Sequence, residues 1–223
     1  MLLGSEVATA PMLAAAARAG VAVRAMPVSD AEPMAAGAAC ADTEVDSGAD
    51  LLVLAAPATS FPVTAAVLVA ALTETEPVRV VSKGLGTNAW IEAVREVRDR
   101  RRRAMPMRDE PDRLLAEIGS GVEAAAAGLL LQAAQRRTPV VVDGLSAVAA
   151  ALVAHAAAPQ AHQWWQLADT SGEPAHELAT SRLSLTPILR LGTSAGDGTA
   201  GVLAVEVLRA AADCAAAGVE TRA

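Results

Sequence analysis

The chain has 223 residues, 53% of them apolar, with 18 basic against 25 acidic side chains and a net charge of −7. That length supports one core of ordinary to large size without disulfides or metal, whereas two independent domains would be cramped. Tyr is absent, Phe61 is the sole Phe, and only Trp90, Trp164 and Trp165 add large rings; this excludes aromatic platforms for single-stranded nucleic acid, and the acidic balance gives a phosphate backbone nothing to be attracted to.

In chain order, residues 11–19 predict a helix stopped by Gly20, followed by a short apolar strand at 21–26. A small-residue helix at 31–47 ends near Gly48. The continuous apolar run Leu51–Leu54 then suits a parallel strand buried on both faces. Residues 63–72 predict a helix, Val78–Val81 a strand, and Ala89–Arg103 a helix whose arginines gather at its end, where the helix dipole favours them. The Pro-containing stretch Ala104–Arg113 is a linker-like break. Beyond it come a helix at 121–135, a strand at 139–142 closed by Asp143 and Gly144, and a helix at 145–157. A short Trp-containing segment at 163–168, a helix from Pro174 and a final helix at 199–217 complete the chain.

Strands alternating with helices predict an α/β fold: an open, mostly parallel sheet wrapped by helices, Rossmann-like in its three layers and forming one domain. Cys40 and Cys214 have no C-x-x-C partner and read as small core hydrophobes. Met1-Leu2-Leu3-Gly4-Ser5-Glu6 lacks the form of a signal peptide, and the apolar stretch Leu145 to Ala158 is short of the ~20 residues of a membrane span, so a cytoplasmic protein that engages neither membrane nor nucleic acid is expected. His155, His162 and His176 have no ligand-like spacing, so neither a metal nor a cofactor is expected.

Two glycine-rich stretches are candidate sites. Gly84, Gly86 and Ala89 fit a G-x-G-x-x-A spacing at the start of a helix, but the window where a dinucleotide fold places its ribose-binding acid holds arginines, and a plain turn into the helix is the preferred reading. The second stretch, Leu191 to Thr199, opens the last helix with small residues that let a ligand approach the backbone and with N–H groups free to hold an anion. Asp197 is its carboxylate, a base if burial raises its pKa, or else a helix cap together with Thr199.

The words Ile118-Gly119-Ser120, Arg136 to Gly144, Ser171-Gly172-Glu173-Pro174-Ala175-His176 and Gly196-Asp197-Gly198-Thr199 resemble the C-terminal part of the nicotinate-nucleotide:dimethylbenzimidazole phosphoribosyltransferase family. Gly48-Ala49-Asp50-Leu51-Leu52 and the 82–92 region resemble its middle. The resemblance implies base exchange: an aromatic base such as dimethylbenzimidazole displaces nicotinate from nicotinate mononucleotide while a carboxylate takes its N–H proton. It implies Asp197 as that carboxylate, Gly196, Gly198 and Ser171 at the ribose phosphate, and Asp143 orienting the adjacent loop. Glu173, Ser194, Gly84 and Gly86 join them as substrate-binding residues, and the family's habit implies a homodimer or a heterodimer with a homologous subunit.

The sequence departs from the family in three places. Where the family has a glycine-rich turn, residues 55–63 read Ala-Ala-Pro-Ala-Thr-Ser-Phe-Pro-Val, and Pro57 and Pro62 remove N–H donors. The family's base is a Glu between two glycines, so Asp197 sets the carboxylate back by about 1.5 Å, and a misplacement of about 1 Å can cost on the order of 100-fold in rate. The Arg three residues before that base is Ser194 here. A non-catalytic or half-site subunit paired with a complete homologue, and an enzyme of the same fold with a smaller acceptor, are the competing readings.

Overall fold

Leu52–Ala55, Val140–Asp143 and Trp165–Asp169 are strands β3, β4 and β5, and their apolar runs follow from burial on both faces. Leu52, Leu54, Val140, Val142, Trp165 and Leu167 point into the main core. Val53, Val141 and Ala168 point the other way, against Ala200, Ala204 and Val205. The period of two along each strand thus divides one hydrophobic run between two helix layers.

The structure, a computed structural model, describes residues 2–3, 9–26, 28, 31–58, 61–118, 121–193 and 196–220. Two short strands, β1 (Leu2–Leu3) and β2 (Ala25–Met26), and the edge strand β6 (Pro187–Leu189) complete a sheet of order β2-β1-β3-β4-β5-β6, parallel at every described pairing. Helices α1 (Ala10–Ala19) and α9 (Thr199–Glu220) cover one face. The opposite face carries α2 (Pro33–Asp46), α3 (Val63–Leu72), α4 (Thr87–Ala104), α5 (Pro111–Ile118), α6 (Gly121–Gln135), α7 (Leu145–Ala157) and α8 (Pro174–Arg182). The expected α/β, three-layer, mostly parallel architecture is the one observed.

Helices α2 and α6 approach backbone to backbone. A Cβ at Gly37 would lie 1.8 Å from the Ala125 carbonyl oxygen, and one at Gly128 would lie 2.0 Å from that of Met34, which is why two glycines interrupt otherwise alanine-rich helices. Farther along the same pair, Arg136 bridges Asp42 at 2.7 Å and Asp46 at 2.6 Å.

The strand expected at Val78–Val81 is absent. Pro77–Arg79 forms a 3₁₀ turn, and Val80 and Val81 are buried beyond it. A strand following α3 would need an open sheet edge beside β3, but β1 and β4 already pair with both sides of β3. The break expected at 104–113 is also more ordered than a linker: Ala104 is buried, Met105 and Met107 pack against the main core, and α5 begins at Pro111. The arginine run is only partly solvated, since Arg100 donates to the Ile118 carbonyl at 2.8 Å and Arg101 to that of Ala70 at 3.1 Å, tying α4 to α5 and α3. Cys214 is exposed rather than in the core because the last turns of α9 run beyond the sheet it covers, while Cys40 is half-buried.

Candidate functional site

All strands run the same way, so the segments leaving β3, β4, β5 and β6 converge at one edge of the sheet, the edge where open α/β folds place ligands. There they enclose a cavity of about 390 Å³, within the ~300–1,000 Å³ range of small-molecule sites. Ala56 and Phe61 line it from the exit of β3, Ser82 and Gly84 from the approach to α4, Ser146 from the first turn of α7, Ser171 and Glu173 from the β5–α8 connection, and Gly196 from the approach to α9.

Among the described residues, the polar surface of this cavity is neutral except for one carboxylate. Ser82, Ser146 and Ser171 are buried. The Ser82 hydroxyl accepts the Gly84 N–H and the Ser171 hydroxyl that of Glu173, each at 3.2 Å, leaving both free to donate to a ligand. Helices α3, α4, α7 and α8 all begin around the cavity with Pro62, Gly86, Gly144 and Glu173 as N-caps, and none of the four N-caps provides a side-chain hydrogen bond. Their first N–H groups and dipole ends therefore favour an anion. By contrast, Thr9 caps α1 in the ordinary way.

Glu173 is the carboxylate in this cavity. Its Oε2 is buried and has no hydrogen-bond partner among the described residues, an arrangement that costs about 1–3 kcal/mol unless a ligand or water satisfies it. Three residues on in α8, His176 is buried with Nε2 likewise unpartnered, and burial pushes its pKa down to about 4 despite the nearby charge of Asp169, which acts to raise it.

Asp197 is placed differently. Its carboxylate accepts the Thr9 hydroxyl at 2.7 Å and the Thr199 N–H at 2.9 Å, so it ties the start of α9 to the start of α1. The expectation that burial would raise its pKa is overturned. Burial does act upward, but the hydrogen bonds from Thr9 and Thr199 outweigh it and the pKa lies below the ordinary carboxylate value. Its neighbour Gly196, rather than Asp197, is among the residues that line the cavity.

The other expected residues divide between cavity and scaffold. Ser171, Glu173, Gly196 and Gly84 come together at the cavity; Gly86 is the N-cap of α4, and a Cβ there would meet nothing within 4 Å. Gly198 is buried at φ +92° and passes its carbonyl to the Val202 N–H. Asp143 is buried at the end of β4 and accepts the Gly201 N–H at 3.1 Å, so it fixes the first turn of α9. Ser194 lies outside the described residues. Pro57 follows β3 and Pro62 borders the cavity, so this stretch offers fewer N–H donors than a glycine turn would.

Sequence reasoning missed Ser82 and Ser146, as well as Asp169. Asp169 accepts the N–H groups of Thr170, Leu191 and Thr193 at 2.7, 2.8 and 2.8 Å, and the Thr193 hydroxyl at 2.8 Å. Burial acts to raise its pKa, yet these hydrogen bonds bring it down to about 2. The signal was present: an acidic residue ending an apolar strand has to find donors nearby.

Residues 7–222 match the family model described as Phosphoribosyltransferase. The nicotinate-nucleotide–dimethylbenzimidazole phosphoribosyltransferase of Mycobacterium ulcerans (strain Agy99) is 46% identical over 183 residues, which is 81% of this chain and 51% of that protein. The protein of the same name from Mycobacterium avium (strain 104) is 47% identical over 180 residues, 80% of this chain and 52% of its own length. The chain therefore spans about half the length of the curated relatives it matches. CobT from Thermus thermophilus shares the fold, with a TM-score of 0.83 at 24% identity over 95% of this chain and 81% of that one. A nicotinate-nucleotide–dimethylbenzimidazole phosphoribosyltransferase from the same organism gives a TM-score of 0.82 at 26% identity over 92% of this chain and 71% of that one.

Proposed function

The chain belongs to the phosphoribosyltransferase family, and from that premise we propose that it transfers ribose phosphate from nicotinate mononucleotide to an aromatic base such as dimethylbenzimidazole, a step of cobalamin lower-ligand assembly. The observation that carries this reading is the joining, in one cavity, of an anion-favouring rim and a lone carboxylate. The uncapped starts of α7 and α8, with the Ser146 and Ser171 hydroxyls, suit a phosphate dianion. Gly84 and Gly196 leave room for the ribose beside them, and Asp143 holds the first turn of α9 in place.

In this reaction a ring nitrogen of the acceptor attacks the anomeric carbon with its lone pair. The bond from that carbon to the pyridinium nitrogen breaks, its electron pair stays on the departing nicotinate and neutralises that ring nitrogen, and the acceptor's N–H proton passes to a carboxylate. The protein's share is to hold donor and acceptor in line and to supply that proton acceptor. Mixing the purified chain with nicotinate mononucleotide and dimethylbenzimidazole tests this directly. Donor binding by calorimetry and formation of the ribosylated base are expected, at a rate below the common range of about 1 to 1,000 per second, because residues 55–63 lack the glycine turn. Absence of both binding and product at millimolar ligand would reject the reading.

A cytoplasmic setting and pairing, with itself or with a homologous subunit, belong to the same proposal. No helix among the described residues is long and apolar enough to cross a membrane. A hollow of about 800 Å³ supports pairing, since the half-buried Pro33 and Met34 of α2 border it beside α5. Light scattering of the chain, alone and with its nearest homologue, distinguishes the two forms of pairing from a monomer.

A further inference from the structure

We propose that Glu173, rather than Asp197, is the carboxylate that takes the acceptor's proton; this rests on the phosphoribosyl-transfer reading above. The two carboxylates are in different situations. Asp197 has both oxygens engaged, Oδ2 by the Thr9 hydroxyl and Oδ1 by the Thr199 N–H, and it is not among the residues that line the cavity. Taking up a proton there would weaken the acceptor that ties α1 to α9. Glu173 lines the cavity, and its Oε2 is buried without a partner among the described residues. It is also the N-cap residue of α8 but makes no side-chain capping bond, so the carboxylate is not committed to the helix. Its N–H is held by the Ser171 hydroxyl, which fixes the backbone from which the side chain starts.

The chemistry follows from that placement. The acceptor nitrogen that carries no hydrogen attacks the anomeric carbon, nicotinate departs with the electron pair of the broken bond, and the N–H of the second ring nitrogen donates its proton to Oε2 of Glu173. The side chain becomes a neutral carboxylic acid and later returns the proton to water. Glu173 reaches the cavity from a different element of the fold than the one that carries Asp197.

The test compares binding of 5,6-dimethylbenzimidazole with that of 1,5,6-trimethylbenzimidazole, which lacks the N–H, in the presence of saturating nicotinate mononucleotide, together with single-turnover rates. The wild type is expected to prefer the N–H form by roughly tenfold or more, as a hydrogen bond to a charged acceptor whose Oε2 is buried implies. Glu173→Met should erase that preference while leaving donor affinity within about threefold. Glu173→Gln keeps an acceptor oxygen, so it should retain the preference but slow exchange by about 100-fold or more, the range of general-base catalysis. Glu177→Gln, on the exposed side of the same helix, should change neither. If Glu173→Met instead weakens donor binding and leaves the N–H preference intact, Glu173 is a ribose contact and the proposal fails. It also fails if Asp197→Asn alone erases the preference. A wild type that binds neither donor nor acceptor overturns the functional reading and the base assignment together, whereas unchanged turnover in Glu173→Gln overturns the base assignment alone.

Discussion

Gly144 and Gly196 meet backbone against backbone: a Cβ at Gly144 would lie 2.3 Å from the Gly196 Cα. The turn that leaves β4 and the loop that approaches α9 are therefore packed together at the rim of the cavity, and both residues have positive φ, +87° and +70°. Neither conformation suits a residue with a side chain. Gly144→Ala is expected to cost about 2 kcal/mol or more, the sum of an unfavourable φ and a backbone clash, and to weaken donor binding because Gly196 is pushed from its place. Gly196→Ala should cost less, since its added Cβ would stand 3.3 Å from Gly144. Denaturant titration of both variants checks the order; equal stability losses would mean that the loop moves freely.

Legibility in the sequence followed the strength of local signals. Helices α3, α6 and α7 begin and end where Pro, Gly and runs of Ala and Leu indicate, and the run Leu51–Leu54 reads as a buried strand, observed at Leu52–Ala55, because both faces need apolar residues. Val78–Val81 carries the same apolar signal, but strand formation depends on an open neighbour, which no local pattern reports. β6 was invisible because it has three residues and opens with Pro187, tolerated only because it lies at the sheet edge. In the site, Ser171, Glu173 and Gly196 were legible through resemblance to a family. Ser82, Ser146 and Asp169 were not, because a single small polar residue at a strand end has meaning only once the other strand ends stand beside it.

The Thr9–Asp197–Thr199 linkage makes Asp197 a structural tie between α1 and α9. Asp197→Asn should cost less than Asp197→Ala, since Asn keeps one acceptor oxygen for the two donors but loses the charge they favour, whereas Asp197→Ala should cost about 1 kcal/mol or more. Because its pKa is lowered in the fold, the stabilisation is present at neutral pH and fades as pH falls through the folded value. Thermal melts of both variants at pH 7 decide the point. A large exchange defect in Asp197→Asn with an unchanged Tm would return the proton-accepting role to this residue.

Asp169 joins the end of β5 to the loop after β6 through three N–H groups and one hydroxyl, and its pKa of about 2 records that these donors favour the charged form. The folded value lies below the ordinary one, so the stabilisation is full above about pH 4 and is lost as pH falls toward 2. Its size is about 2 kcal/mol at neutral pH. Asp169→Asn turns an acceptor toward a nest of donors with an amide that has donors of its own. It should lower stability by at least that amount at pH 7 and by progressively less below about pH 4. Chemical denaturation of both proteins between about pH 2 and 7 should show the curves converging at the acid end. A constant gap would mean that the aspartate acts through packing alone.

His176 sets a second, higher pH window. It is buried, and its folded pKa of about 4 lies well below the ordinary 6.5 of a histidine because burial disfavours the imidazolium. The unfolded chain therefore binds a proton between about pH 6.5 and 4 that the folded chain refuses, so stability rises with pH across this interval and falls as the solution is acidified. The full loss is about 3 kcal/mol for a shift of this size. It is complete near pH 4, above the interval in which Asp169 begins to matter, so the two contributions appear as separate limbs of one stability curve. His176→Gln removes the titrating group while keeping polar atoms in the same space. The expected result is a variant less stable than wild type at pH 7 but with a flat profile from pH 7 to about 4.5, so that the two curves approach each other on acidification. If the variant retains the slope of the wild type, the acid sensitivity in this window arises elsewhere, and His176 is accessible to protons in the folded state.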